Sequence, residues 1–158
     1  MLYLQPFAEE MNKSRRMVAE MARRLARQGY AVLQIDLAGC GDSEGDFADA
    51  SWSAWQDDIG AADAWLQTQY PGQPLILWGL RLGGLLAAAY AAAHPQRCRQ
   101  LLLWAPVANG EQFLTQFLRL RVANRMLTGE QGGGTQQSMQ QLHAGEAVEI
   151  AGYMLAPQ

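Results

Sequence analysis

The chain has 158 residues, with 12 Lys or Arg against 15 Asp or Glu, a net charge of −3 and 49% apolar residues. That length is enough for one domain with a real core, and the apolar share excludes a disordered chain. The slightly acidic balance gives no footprint for nucleic acid, no apolar run reaches the ~18 residues of a membrane span, and Met1–Pro6 lacks the basic-then-apolar pattern of a signal peptide. The expected location is cytoplasmic.

In chain order, Leu2–Pro6 is a short apolar run closed by proline and predicted as a strand. After the loop Phe7–Met11, Asn12 is placed to cap a helix. Its apolar face is marked by Met17, Val18, Met21, Ala22 and Leu25. Arg15, Arg16, Arg23, Arg24 and Arg27 fall mostly off that face and read as solvated surface. Gly29 suits the left-handed position that ends such a helix. Tyr30–Ile35 is a second strand, apolar nearly throughout, as a strand covered on both faces must be, with Asp36 at its end. The loop Gly39–Gly45 is glycine-rich, but it has neither a Walker lysine nor the G-x-G-x-x-G order of a phosphate cradle. Trp52, Trp55, Ile59, Ala62 and Leu66 step by three and four, predicting an amphipathic helix stopped at Pro71-Gly72. Its tryptophans, Trp65 included, fit core packing better than base stacking.

The stretch Leu75–Leu86 organises the rest of the chain: an apolar strand, a tight turn between Gly79 and Gly83, and an alanine-rich helix ending near His94-Pro95. Leu101–Trp104 is a further buried strand, closed by Ala105-Pro106. The order β-α-β-α-β-α-β demands a parallel sheet with helices on both faces. After Gly110 the pattern changes. Phe113, Leu114, Phe117, Leu118 and Val122 form an apolar stripe, with Arg119, Arg121 and Arg125 on other faces. Gly132-Gly133-Gly134 interrupts it, and a glutamine-rich helix at 135–143 and a strand-like run at 147–150 come next. The expected division is a core at 1–110 and a cap or lid at 111–158 that begins a return to the sheet. The stripe and arginines of 111–127 also suit contact with a membrane surface or another protein.

Position 81, at the apex of the turn, is the principal candidate for chemistry. Arg81 stays protonated and has no lone pair with which to attack. A cation at the start of a helix is opposed by the helix dipole, so a negative partner is expected, and the neighbouring strand brings up Glu9 and Glu10. The residues support two readings. One is a structural ion pair between Arg81 and Glu9 or Glu10. The other is an anion site in which Arg81, the Leu82 N–H and the Phe7-Ala8 turn bind a carboxylate or phosphate. Cys40 is the candidate replacement nucleophile, set against the reading of an ordinary turn cysteine; a thiolate needs a base or cation beside it, and neither His94 nor His143 is placed to serve. Cys40 and Cys98 fall at opposite sheet edges, roughly 15–20 Å apart for strands of ordinary length, so no disulfide is expected. No paired carboxylates indicate glycosidase work, no Cys/His cluster has metal-ligand spacing, and no cofactor is expected.

The Gly79-Leu80-Arg81-Leu82-Gly83 turn resembles the Gly-x-Ser-x-Gly nucleophile elbow of α/β-hydrolases, with arginine where serine belongs. Together with Pro6–Arg16, Gly39-Cys40-Gly41-Asp42-Ser43, Leu77–Gly83 and Trp104–Val107, it makes the chain resemble the exosortase A system-associated hydrolase 2 family over nearly its whole length. The resemblance implies a partial α/β-hydrolase fold with a helical cap. It also implies a hydrolase of an ester, thioester or acyl bond linked to exopolysaccharide or protein export, with a small-molecule or acyl substrate. Matched to that family, the chain starts at the strand before the oxyanion loop and stops as the cap hands back to the sheet. It therefore reads as truncated at both ends, without the triad acid and histidine that come later in such enzymes. The alternative is a non-catalytic relative that binds an acidic ligand or a protein partner through Arg81.

Overall fold

The computed structural model describes residues 1–128, 134–150 and 152–156, the side chains of 121–128 excepted. They divide into two units, one of Met1–Leu37 with Trp52–Ala108 and one of Ala38–Ser51 with Asn109–Gln158.

The first unit alternates strand and helix: β1 (Leu2–Leu4), α1 (Glu9–Arg27), β2 (Leu33–Gln34), α2 (Trp52–Gln69), β3 (Leu75–Leu80), α3 (Leu82–Ala93) and β4 (Cys98–Trp104). The strands form one parallel sheet in the order β2-β1-β3-β4, with Leu2 opposite both Leu33 and Leu77, and Leu77 opposite Leu101. Side chains alternate across the pleat. Tyr3, Trp78 and Leu80 face α1, where Val18, Ala22 and Leu25 close over them. Right-handed crossovers put α2 and α3 on the opposite face, tied to each other by a hydrogen bond from Gln56 Nε2 to the Leu86 carbonyl (3.3 Å). Leu2, Leu4, Leu75, Leu77 and Trp78 are fully buried, each contributing up to about 1.5–3 kcal/mol.

The boundaries differ from expectation in an informative way. α1 begins at Glu9, three residues before the cap predicted at Asn12, and no side chain caps it. The chain passes from β1 into the helix through a turn at Ala8 (φ +50°, ψ −126°), and the early start rotates the buried stripe to Met11, Ser14, Val18, Ala22 and Leu25. Met17, expected inside, is 48% exposed. The second strand shortens to two residues, and the fourth lengthens back to Cys98. In α2, Trp55 is buried as expected while Trp52 and Trp65 are exposed. Cys40 and Cys98 are not joined in a disulfide.

In the second unit, the loop Ala38–Ser51 carries a short 3₁₀ turn, Phe47–Asp49, closed by a capping box between Asp46 and Asp49. The helices of this unit are α4 (Gly110–Thr128) and α5 (Thr135–His143). Phe113, Phe117 and Leu118 of the predicted stripe are buried, with Leu142 of α5; the side chains of Val122, Arg121 and Arg125 and the glycines at 132 and 133 lie outside the described residues. β5 (Val148–Ile150) pairs antiparallel with β6 (Tyr153–Leu155) in a sheet of its own, so its partner is the next strand rather than the parallel sheet. Tyr153 meets Phe47 edge-on, with centroids 5.2 Å apart.

The buried Tyr3 phenol contributes to the behaviour of the first unit at high pH. Burial pushes the Tyr3 hydroxyl up from 10 to about 12. The folded state therefore holds this proton more tightly than the unfolded chain does. The associated stability is present in full below pH 10 and is lost as pH rises towards 12. Tyr3→Phe is expected to remove roughly 2 kcal/mol of that alkaline loss while changing stability at neutral pH by less than about 1 kcal/mol. Urea midpoints of both proteins below pH 10 and at pH 12 check it; an equal alkaline loss in the variant would assign the effect elsewhere.

Candidate active-site turn

The sheet reverses its order between β1 and β3, and in parallel α/β sheets the crevice beyond the carboxyl ends at such a reversal is where ligands sit. Three non-glycine residues with positive φ stand at this edge: Ala8 (+50°) after β1, Arg81 (+55°) after β3 and Ala105 (+41°) after β4. Each costs of order 1–3 kcal/mol and persists only where its surroundings impose it. Around Arg81 they do. Its N–H donates to the Trp104 carbonyl (3.0 Å), and its own carbonyl accepts from the N–H groups of Gly84 (3.0 Å) and Val107 (3.1 Å). Two glycines let the helix come this close. A Cβ on Gly79 would overlap the Gly83 carbonyl oxygen, and one on Gly83 would overlap the carbonyl oxygens of Leu4 and Gln5.

Arg81 occupies the N-cap of α3, where its charge opposes the helix dipole. Its Nε donates to Glu10 Oε1 (3.2 Å), with both side chains about one-third exposed (35% and 34%). Between the two expected acids the structure selects Glu10, because a helix starting at Glu9 aligns Glu9 with Lys13 one turn on, at 3.1 Å. The other Glu10 oxygen, Oε2, is buried and makes no hydrogen bond. Leu82 opens α3 and Ala8 precedes α1, both buried, and Phe7 packs edge-on to Trp55. Glu10, Ala8, Phe7, Arg81 and Leu82 thus belong to two adjacent strand-to-helix turns, whereas Glu9 is committed to Lys13.

The remaining candidates lie elsewhere. Cys40 is in the loop of the second unit, where its carbonyl accepts from the Ser43 N–H at 3.1 Å. His94 ends α3, about 20 Å along the helix from Arg81, with its ring stacked on Tyr90 (4.2 Å) and Nδ1 against the Tyr90 carbonyl (3.0 Å). His143 is exposed at the end of α5.

Sequence reasoning passed over a buried charge cluster at the opposite edge. Asp63, 3% exposed, accepts from Arg97 Nε (2.8 Å), Gln67 Nε2 (3.2 Å) and the Tyr90 hydroxyl (3.3 Å). Burial, and then the Asp63 carboxylate, push Tyr90 up to about 12; the same two causes raise Cys98. The signal was available, since residue 63 comes four after Ile59 and so shares the buried face of α2.

Among the described residues no helix is long and apolar enough to cross a membrane. The chain is 32% identical over 94 residues to the rat (Rattus norvegicus) "Palmitoyl-protein thioesterase ABHD10, mitochondrial", a match covering 60% of this chain and 30% of that protein, and 31% identical over the same length to its mouse (Mus musculus) counterpart. It therefore spans about a third of the length of the curated relatives it matches. Among solved structures it superposes at a TM-score of 0.59 on one described under "LipS and LipT, two metagenome-derived lipolytic enzymes", with 29% identity over 75% of this chain and 46% of that one. Mouse "Alpha/beta hydrolase domain-containing protein 10" shares the fold at a TM-score of 0.55 and 24% identity, over 88% of this chain and 54% of that one. The family described as "Serine aminopeptidase, S33" matches residues 8–146. With nearly the whole sequence inside that match and a parallel sheet shared with these hydrolases, the chain belongs to the serine aminopeptidase S33 family of α/β-hydrolases.

Proposed function

We propose that the turn at Arg81 is a nucleophile elbow that has exchanged its nucleophile for a cation, and that it binds an acidic ligand, an acyl carboxylate above all, without serine catalysis. The observation that carries this reading is the strained conformation of Arg81 (φ +55°, ψ −117°). A backbone conformation costing of order 1–3 kcal/mol is kept here although no serine uses it. In this reading the guanidinium leaves Glu10 to meet the carboxylate, and the N–H groups of Leu82 and of the Phe7-Ala8 turn complete the anion site, since the first amides of a helix have no acceptor within it. The incoming carboxylate competes with Glu10 for the guanidinium, so binding costs the Arg81–Glu10 pair, and selectivity rests on how well the acyl chain is held.

Acetate and butyrate titrated into the isotope-labelled protein are expected to shift the Leu82 and Gly83 amide resonances saturably. Arg81→Ala is expected to weaken binding about 10–100-fold, the worth of one charge-assisted hydrogen bond at ~1.5–3 kcal/mol. Unchanged resonances at saturating carboxylate would leave Arg81–Glu10 as a structural ion pair and remove the reading.

A second reading is favoured by the likeness to a palmitoyl-protein thioesterase and to lipolytic enzymes. It makes the chain part of a hydrolase of ester or thioester bonds, in the setting of exopolysaccharide or protein export that its sequence motifs resemble. Cys40 is then the nucleophile to test. Turnover of a nitrophenyl ester or acyl thioester that Cys40→Ala abolishes supports this reading. Turnover unaffected by that change removes Cys40.

A further inference from the structure

A cleft of about 370 Å³ opens between α1 and the end of β2. It shares no lining residue with the Arg81–Glu10 pair, so its occupancy is independent of the reading of that site. Two of its lining side chains are almost inaccessible, Tyr3 at 5% and Gln5 at 4% exposed. Gln5 ends in a buried amide nitrogen, Nε2, without a hydrogen-bond partner, and the buried Tyr3 hydroxyl has only a loose interaction with Ser14 on the same wall. Ser14, on the same wall, sends its proton to the Met11 carbonyl (2.9 Å) and keeps only acceptor capacity. Buried polar groups in native proteins are nearly always paired, by protein, water or ligand. An amide without an acceptor, beside a phenol held only loosely, marks a place where something else supplies the partners.

The chemistry of the walls narrows what that is. Gln5 Nε2 requires an acceptor, the Tyr3 hydroxyl takes either role, and Ser14 requires a donor. Met11, Val18 and Ile35 supply an apolar wall. The two charges lining the cleft, Arg15 and Asp36, are paired with each other at 3.1 Å, so an entering anion meets a guanidinium already neutralised and a carboxylate beside it. We propose that this cleft binds a small neutral polyol, of monosaccharide size or below, with its hydroxyl edge on Tyr3, Gln5 and Ser14 and its C–H face on Met11, Val18 and Ile35. The volume falls in the range of small-molecule sites, ~300–1,000 Å³.

The test titrates glycerol, D-glucose and, in parallel, acetate into the isotope-labelled full chain. The Gln5 side-chain amide pair is the reporter in the wild type and in Tyr3→Phe, and the Ser14 backbone amide in Gln5→Met. Gln5→Met exchanges an unpartnered polar end for an apolar one of similar volume, and Tyr3→Phe gives up only the loose interaction with Ser14, so the fold is retained. The expected result is a saturable shift with a polyol below about 100 mM, weakened tenfold or more in each variant, with no saturable response to acetate. A shift that stays linear in concentration, or one of equal size in the variants, means that water alone fills the cleft and overturns the proposal. Saturation by acetate at lower concentration than by either polyol overturns the neutral class.

Discussion

Gly83→Ala is expected to cost at least ~3 kcal/mol and to abolish cooperative folding in a marginal background. The reason is the depth of contact at the Arg81 turn. A Cβ at position 83 would sit 2.6 Å from the Gln5 carbonyl oxygen and nearer still to that of Leu4. Both are backbone atoms of the strand beside β3, and neither can rotate away. Relief requires α3 to lift off β1, which breaks the Arg81 hydrogen bonds to Trp104 and Val107 and uncovers the apolar face beneath. The gain in helix propensity from Gly to Ala, ~1 kcal/mol, is too small to offset this. Gly60 supplies the control. It lies inside α2 with nothing within 4 Å of a built Cβ, so Gly60→Ala is expected to stabilise by about 0.5–1 kcal/mol. Urea denaturation of the two variants against wild type should therefore give shifts of opposite sign. Two shifts of the same sign would mean that the packing of α3 against β1 is not the constraint described.

The Gly79–Gly83 spacing was legible in the sequence because its requirements are local: an apolar strand, a turn that only small residues allow, and a helix continuing at once. The same locality made β3, α3 and the parallel order readable. Features that depend on neighbours were not legible. No property of alanine announces a positive φ at Ala8; the sheet imposes it, and with it the early start of α1. A capping rule pointed to Asn12 because that rule sees four residues, whereas the helix start is fixed by where β1 ends. The choice of Glu10 over Glu9 rests on that start and could not be made before it. The loop at 38–51 falls within the core expected at 1–110. It groups instead with residues 109–158, through contacts such as Phe47 with Tyr153, which are distant in sequence. Arg81 itself shows how far local pattern reaches: the glycine spacing pointed to a tight turn, while the positive φ at its apex is set by the hydrogen bonds and strands around it.

Asp63→Ala is expected to destabilise the first unit by about 3–5 kcal/mol, the cost of removing one partner of a buried ion pair. Arg97 would be left with its charge half desolvated, bound only by its Nη1 hydrogen bond to the Gln73 carbonyl (2.6 Å), and the Tyr90 hydroxyl and Gln67 would lose their acceptor. Asp63→Asn keeps the shape and one acceptor oxygen, and should fall between Ala and wild type. The decisive comparison is the double variant Asp63→Leu/Arg97→Met. If the cluster contributes through mutual satisfaction rather than through net attraction, replacing both charges by apolar groups of similar volume should cost less than Asp63→Ala alone, because no buried charge then lacks a partner. A double variant less stable than the single one would instead mean that the Asp63–Arg97 attraction exceeds its desolvation cost, and that the pair holds α2 against the loop before β4. The same measurement bears on Cys98. Its thiol is raised by burial first and by the Asp63 carboxylate second. Asp63→Asn should therefore lower the Cys98 pKa and speed its alkylation at fixed pH, whereas an unchanged rate would assign the whole shift to burial.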